Sequence, residues 1–229
     1  MKINSPFVKG FVKEIIPRVF AVSIKDRYQR AMLFCRYQEF YESPYLEIRG
    51  KFFYWEDFMS LYKEKRKEGI FTYPEDWSGF NIPSKVIREG LDTFDKDKGP
   101  YDEIMSKIYY YCEDYPLRFQ KPRGRWYLIA ANNMDSSTMK HEIAHGLYYT
   151  NNEYKKGMNA LISKMKANQY NKVKRSLTRL GYRDDKKIID DEIQAYFATG
   201  LDKSFGGNEF KKLQKDFIDI FNTYMTTPK

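Results

Sequence analysis

Two histidines are the only imidazole groups in this chain of 229 residues, and they lie four positions apart. They enclose a glutamate in the segment HEIAH, residues 141–145, which has the form H-E-x-x-H. On a helix, side chains four positions apart project from one face, so both imidazoles can bind the same ion. Zn²⁺ accepts imidazole nitrogens at about 2.0–2.1 Å and keeps positions for a third ligand and water. The pattern therefore predicts one Zn²⁺ ion bound by His141 and His145.

Glu142 is the predicted catalytic residue of this segment. Zn²⁺ lowers the pKa of a bound water towards about 7. A glutamate directly after the first histidine can accept the proton of that water and later deliver it to a leaving amine. The pattern thus predicts a metallopeptidase that hydrolyses a peptide or protein substrate, with Glu142 as general base.

The third zinc ligand must be an acid or a cysteine, because the sequence has no third histidine. Asn151 stands where an H-E-x-x-H-x-x-G-x-x-H site would have its last histidine. Glu192 is the preferred candidate, since it lies in a predicted helix over 188–199 whose Ala195 permits close packing against the histidine helix. The alternatives that remain open are Asp190, Asp191 and Cys112.

Turn chemistry and periodicity predict the elements around the motif. A hairpin of two strands, 117–120 and 125–131, is expected before the histidine helix, and Asp135, Ser136 and Ser137 offer capping oxygens at its start. The hydrophobic spacing after the motif predicts a helical C-terminal half, with helices over 153–169, 172–180, 188–199 and 209–225.

The N-terminal part mixes helical and strand patterns. Residues 46–53 are predicted to form a strand or hairpin, and residues 71–85 an ordered aromatic loop. The segment DKDKGP, residues 95–100, has the composition of a linker. Helices are predicted over 24–40, 55–67, 84–94 (capped by Ser84), and either a helix or a strand over 101–115.

The segment HEIAH followed by DEIQAYFATG, residues 191–200, resembles the gluzincin branch of the zincin metallopeptidases. The resemblance implies that His141, His145 and Glu192 bind zinc and that Glu142 is the general base. It also implies that the strand at 125–131 is an edge strand, on which an extended substrate pairs by β-augmentation.

The resemblance covers about residues 126–201 and departs from the family at Asp191, where the family usually has Asn. The family's oxyanion-stabilising Tyr or His is not assigned; Tyr148, Tyr149 and Tyr196 are available. The expected fold class is α+β. A zincin-like core at 99–229 would combine a short β-sheet, the active-site helix and the helical C-terminal half, after an N-terminal α/β region, 1–98, of unknown role.

The composition predicts a cytoplasmic protein that does not bind membranes. No run of 18 apolar residues occurs, the first 20 residues do not resemble a signal peptide, and the two cysteines suit a reducing compartment. The formal net charge of +9 arises after Tyr115, mostly between Lys155 and Lys187. This basic region is either a solvated helical face or a surface for nucleic acid or an acidic partner. The alternative function is therefore a catalytically silent zinc-binding protein that docks such a partner.

Overall fold

The computed structural model describes residues 1–66, 69–119, 124–131, 137–200, 205 and 208–226. It confirms the α+β class, with one mixed sheet and helices throughout the chain. The chain divides into two compact units, Met1–Met134 and Asp135–Lys229. Sequence analysis places the boundary after residue 98, but residues 95–100 are not an extended linker here. They contain a short 3-10 helix, Asp95–Asp97, and the start of a helix that belongs to the first unit.

The first unit is built on a five-stranded sheet with the order β1-β2-β3-β5-β4. β3 and β5 are parallel, and the other neighbouring strands are antiparallel. Gly10 lies where β2 passes close to the next strand, since a Cβ there would lie 2.2 Å from the carbonyl oxygen of Ser23. The strands are β1 (Lys2–Asn4), β2 (Lys9–Ile16), β3 (Val19–Ser23), β4 (Gly79–Pro83) and β5 (Tyr127–Ala131).

Three helices of the first unit, α3, α4 and α5, pack against α1, which is buried over most of its length. Asp26 caps α1 by accepting a hydrogen bond from the backbone N–H of Gln29 at 2.8 Å. Arg36 of α1 is buried, and it pairs with Asp102 at 2.9 Å and lies over the ring of Phe94. The helices are α1 (Arg27–Glu42), α2 (Trp55–Lys65), α3 (Tyr73–Asp76), α4 (Ser84–Thr93) and α5 (Pro100–Asp114).

Three local predictions for the first unit are wrong. Residues 46–53 form turns and no strand, and residues 71–85 contain α3, β4 and the start of α4 instead of a loop. Ser84 does not cap α4; its hydroxyl accepts a hydrogen bond from the N–H of Trp126 at 3.2 Å. The runs of alternating apolar residues in these segments are too short to distinguish a strand from a turn. Whether such a segment forms a strand depends on whether another strand pairs with it.

The predicted hairpin before the histidine helix is also wrong. Its first arm is a 3-10 helix, Pro116–Phe119, in which the side chains of Leu117 and Phe119 are exposed. Gln120 and most of the predicted turn lie outside the described residues. Its second arm is β5, which pairs with β3 and β4. Pairing with two strands that are distant in sequence buries all five residues of β5, whereas an isolated two-stranded hairpin is only marginally stable.

The second unit is helical in all of its described elements. Asn151 caps α7 through hydrogen bonds from the backbone N–H groups of Glu153 and Tyr154, each 3.0 Å long. Asp185 caps α9 in the same manner, and α9 ends at Gly200, whose φ of 139° suits glycine. The helices are α6 (Ser137–Thr150), α7 (Asn152–Ser163), α8 (Ala167–Arg179), α9 (Lys186–Thr199) and α10 (Lys211–Thr226).

The helix predicted over 153–169 is in fact two helices, because α7 ends at Ser163 and α8 begins at Ala167. Asp135 and Ser136, two of the predicted capping residues of α6, lie outside the described residues. Within the described ranges, no helix combines the length and apolar character needed to cross a membrane.

Candidate metal centre

Helix α6 brings the two histidines to one face, as the spacing predicts. The rings of His141 and His145 lie 4.7 Å apart edge to face, and their Nε2 atoms are separated by 3.1 Å. The ring of His145 is almost completely buried, whereas 18% of the His141 side chain is exposed. The pair therefore directs two nitrogen atoms to one point, which remains accessible on the His141 side.

Helix α9 places a carboxylate opposite these two rings. Glu192 Oε2 lies 3.6 Å from His141 Nε2, and Glu192 Oε1 lies 3.6 Å from His145 Nε2. The two helices pack directly against each other, and Ala195 of α9 is completely buried. We call His141, His145 and Glu192 the metal triad, since their ligand atoms all lie within 4.8 Å of one another.

The separations within the metal triad are of the size expected around one zinc ion. Bonds of about 2.0–2.1 Å at tetrahedral angles hold two ligand atoms about 3.4 Å apart. The two histidine nitrogens are separated by 3.1 Å, and each lies 3.6 Å from a different oxygen of Glu192. Glu192 Oε2 is buried and has no hydrogen-bond partner among the residues that the structure describes. A buried carboxylate oxygen without a partner is costly unless a cation or donor reaches it.

The other acids considered as third ligands have different roles. Asp191 Oδ1 lies 2.9 Å from His145 Nδ1, on the side of the ring away from the metal triad. Asp190 accepts a hydrogen bond from the Tyr170 hydroxyl at 2.9 Å and pairs with Lys186. Cys112 is a buried free thiol of the first unit. Of the predicted candidates, only Glu192 joins the two histidines in the described part of the chain.

The electrostatic environment of the metal triad favours a positive charge. Burial lowers the pKa of His145, but the charge of Asp191, followed by that of Glu192, outweighs burial and raises this pKa to about 10. Without a metal, a proton on His145 Nε2 would therefore be retained at neutral pH. The same negative charges would stabilise a divalent cation at this position.

Glu142 follows His141 on α6 and is buried. Its negative charge contributes to the raised pKa values of His145 and Tyr182, which places its carboxylate in the electrostatic neighbourhood of both. The predicted general base is therefore buried on the same helix as both histidines, and its charge acts on His145.

Two tyrosines also belong to this neighbourhood. The ring of Tyr196 lies 4.6 Å from that of His141, and its hydroxyl lies 3.2 Å from the hydroxyl of Tyr182. Burial, and then the charge of Glu192, raise the pKa of Tyr182. Sequence analysis names Tyr196 but misses Tyr182, because nothing distinguishes it among 20 tyrosines. Tyr148, also considered there, donates a hydrogen bond to Asn159 instead.

The strand that the gluzincin resemblance places at an edge is not an edge strand. β5 lies between β3 and β4, and its backbone groups pair on both sides. The expectation of substrate pairing along an edge strand at 125–131 is therefore wrong, since a strand of the sheet already lies on each side of β5.

The basic region between Lys155 and Lys187 is partly neutralised by acids. Arg183 pairs with Asp185 at 3.4 Å, and Lys155 lies over the ring of Tyr148. Each of the following lysines has an acidic partner: Lys156 with Glu153, Lys172 with Glu209, Lys174 with Asp184, and Lys186 with Asp190. These pairs reduce the net positive charge available to an anionic partner.

Comparison of the chain with protein-family models, curated proteins and solved structures finds no significant similarity.

Proposed function

We propose that the protein is a zinc-dependent metallopeptidase of the gluzincin type. His141, His145 and Glu192 would bind one Zn²⁺ ion, and Glu142 would act as general base. The observation that carries this proposal is the buried, unpartnered Oε2 atom of Glu192 beside two imidazole nitrogens. A purely structural carboxylate at this position would have a hydrogen-bond donor from the protein.

When bound, Zn²⁺ supplies a Lewis acid that polarises a peptide carbonyl and makes water a better nucleophile at neutral pH. Glu142 accepts the proton of the attacking water and transfers it to the leaving nitrogen. Asp191 accepts a hydrogen bond from the Nδ1–H group of His145, which keeps the Nε2 lone pair directed into the metal triad.

The proposed substrate is a peptide or protein, and the proposed compartment is the cytoplasm. Cys35 and Cys112 are both buried and unpaired, as expected for a protein that works in a reducing environment.

The metal content of purified variants tests whether Glu192, and not another acid of α9, is the third zinc ligand. The purified wild-type protein should contain one zinc per chain by mass spectrometry of metals, and Glu192→Ala should lose it. Asp190→Ala is the matched control, because this neighbouring acid hydrogen-bonds Tyr170 instead of facing the histidines. Equal zinc contents in wild type and Glu192→Ala would contradict the assignment of the third ligand.

Glu142→Gln tests catalysis independently of metal binding. This variant should keep its zinc and lose peptide cleavage by about 10²–10⁴-fold, since only the proton acceptor is removed. Cleavage is measured on a mixed peptide library by mass spectrometry, with exposed Glu153→Gln as the control. If wild-type protein binds zinc but cleaves no peptide, the silent zinc-binding alternative replaces the peptidase.

A further inference from the structure

A chain of hydrogen bonds continues from the metal triad into the core of the second unit. His145 Nδ1 lies 2.9 Å from Asp191 Oδ1, and Gln194 Nε2 donates to the same oxygen at 2.9 Å. The hydroxyl of Tyr154 donates in turn to Gln194 Oε1 at 2.9 Å. We call Asp191, Gln194 and Tyr154 the buried relay; it connects α6 with α9 and α7.

The direction of every hydrogen bond in the buried relay is determined by Asp191. An ionised carboxylate only accepts hydrogen bonds, so both His145 Nδ1 and the Gln194 amide must donate to it. With its NH₂ group facing Asp191, Gln194 presents its oxygen to the Tyr154 hydroxyl, which then donates. A reversed Gln194 amide would set its oxygen against the carboxylate, and the Tyr154 proton would lose its acceptor.

The buried relay is held by packing as well as by hydrogen bonds. Two of its three members, Tyr154 and Gln194, have no exposed surface, whereas the Asp191 side chain is 29% exposed. The ring of Tyr154 also packs edge to face against Tyr224 of α10, with the ring centroids 5.3 Å apart. Because a buried amide without partners is costly, the placement of Gln194 is strongly restricted to this one orientation.

We propose that Gln194 and Tyr154 are positioning residues of the metal centre. They hold the Asp191 carboxylate so that His145 keeps its proton on Nδ1 and offers the Nε2 lone pair to the ion. This inference rests on the proposed zinc site. Outer-shell partners of metal-bound histidines commonly change metal affinity by about 10–100-fold, and here the relay extends that influence to a glutamine and a tyrosine that touch no ligand.

The test is a double-mutant cycle on metal affinity. Gln194→Met keeps the volume and removes the donor, and it should weaken zinc binding about tenfold in competition with a chromophoric chelator. In an Asp191→Asn background, the same change should have little further effect, since the relay acts through the Asp191 carboxylate. The thermal stability of the metal-free variants is measured in parallel. If Gln194 and Asp191 made separate, purely structural contributions, the effects of their two substitutions would add in the double mutant.

Tyr154→Phe provides a second variant that preserves the packing against Tyr224. It should weaken zinc binding about threefold and shift the visible absorption spectrum of the Co²⁺-substituted protein, which reports ligand geometry. Tyr148→Phe is the matched control; it removes a hydroxyl bonded to Asn159 outside the buried relay, so zinc affinity and Co²⁺ spectrum should stay those of wild type.

The outcomes separate the two proposals. Wild-type protein that binds neither Zn²⁺ nor Co²⁺ would overturn the metal site itself. Wild-type protein that binds both ions, with Tyr154→Phe matching the Tyr148→Phe control, would overturn the relay and leave the metal site intact. Additive effects of Gln194→Met and Asp191→Asn on zinc affinity would also overturn the relay, because independent contributions do not pass through one carboxylate.

Discussion

Zinc and a proton compete for Nε2 of His145, so the zinc affinity of this protein should rise steeply with pH. A zinc-binding imidazole must be neutral. Burial lowers the pKa of His145, but Asp191, Glu192 and Glu142 together raise it to about 10. At pH 7.5, such a pKa leaves about one molecule in 300 with a neutral His145. Each increase of one pH unit should therefore raise the zinc affinity about tenfold.

The affinity is measured from about pH 6.5 to 8.5 by competition with a zinc chelator of known protonation constants. Calorimetry in buffers of different ionisation enthalpy counts the protons released, and His145 should contribute about one per ion. Asp191→Asn removes the largest charge that raises this pKa, so its zinc affinity should rise less steeply with pH than that of wild type. A wild-type affinity that does not change with pH would refute the argument.

The raised pKa of His145 also predicts how the stability of the metal-free protein changes with pH. A histidine whose pKa is raised on folding contributes stability that is fully present below about pH 6.5 and is lost as the pH rises through about 10. Protein treated with a chelator should therefore have a lower Tm at high pH than at neutral pH, and Asp191→Asn should reduce this difference.

Three predictions concern the first unit. Arg36→Leu should lower the free energy of unfolding by about 3–5 kcal/mol, because Asp102 would stay buried without its cation; denaturant titration with an unchanged midpoint would contradict this. Gly10→Ala should lower it by about 1–3 kcal/mol in the same assay, since its Cβ would lie 2.2 Å from the Ser23 carbonyl oxygen. Burial raises the pKa of Glu39, so the wild type should lose stability as the pH rises through that pKa. Glu39→Gln should then have a higher Tm than wild type at pH 8 and an equal one near pH 4, and a Tm difference independent of pH would exclude this explanation.

The metal-binding helix and its partner could be predicted because their signals are local. The spacing of His141 and His145 indicates one face of α6. The acidic start and glycine end of the pattern around Glu192 are typical of a short helix, and α9 ends at the predicted Gly200. That Glu192 would be the acid facing the histidines follows from helix packing, which the spacing of Ala195 suggests but does not determine.

Pairing and side-chain contacts between distant segments could not be predicted. β5 pairs with residues 19–21 on one side and 79–83 on the other, whereas turn chemistry favours the nearest strand. Tyr182 meets Tyr196, which lies against His141, because the segment between α8 and α9 turns back towards α9. Gln194 appears in the sequence as one polar residue on an amphipathic helix, and its role depends on the hydroxyl of Tyr154, 40 positions earlier.

The close approach of the three side chains in the metal triad has a consequence for the speed of metal uptake. The two imidazole nitrogens lie 3.1 Å apart, and each already lies 3.6 Å from one oxygen of the Glu192 carboxylate. Folding has thus already restricted their rotamers, and capture of the ion involves little additional loss of side-chain entropy. Dehydration of the ion and departure of the His145 proton should then limit the rate, and stopped-flow mixing with zinc should show a single phase without a slow conformational step.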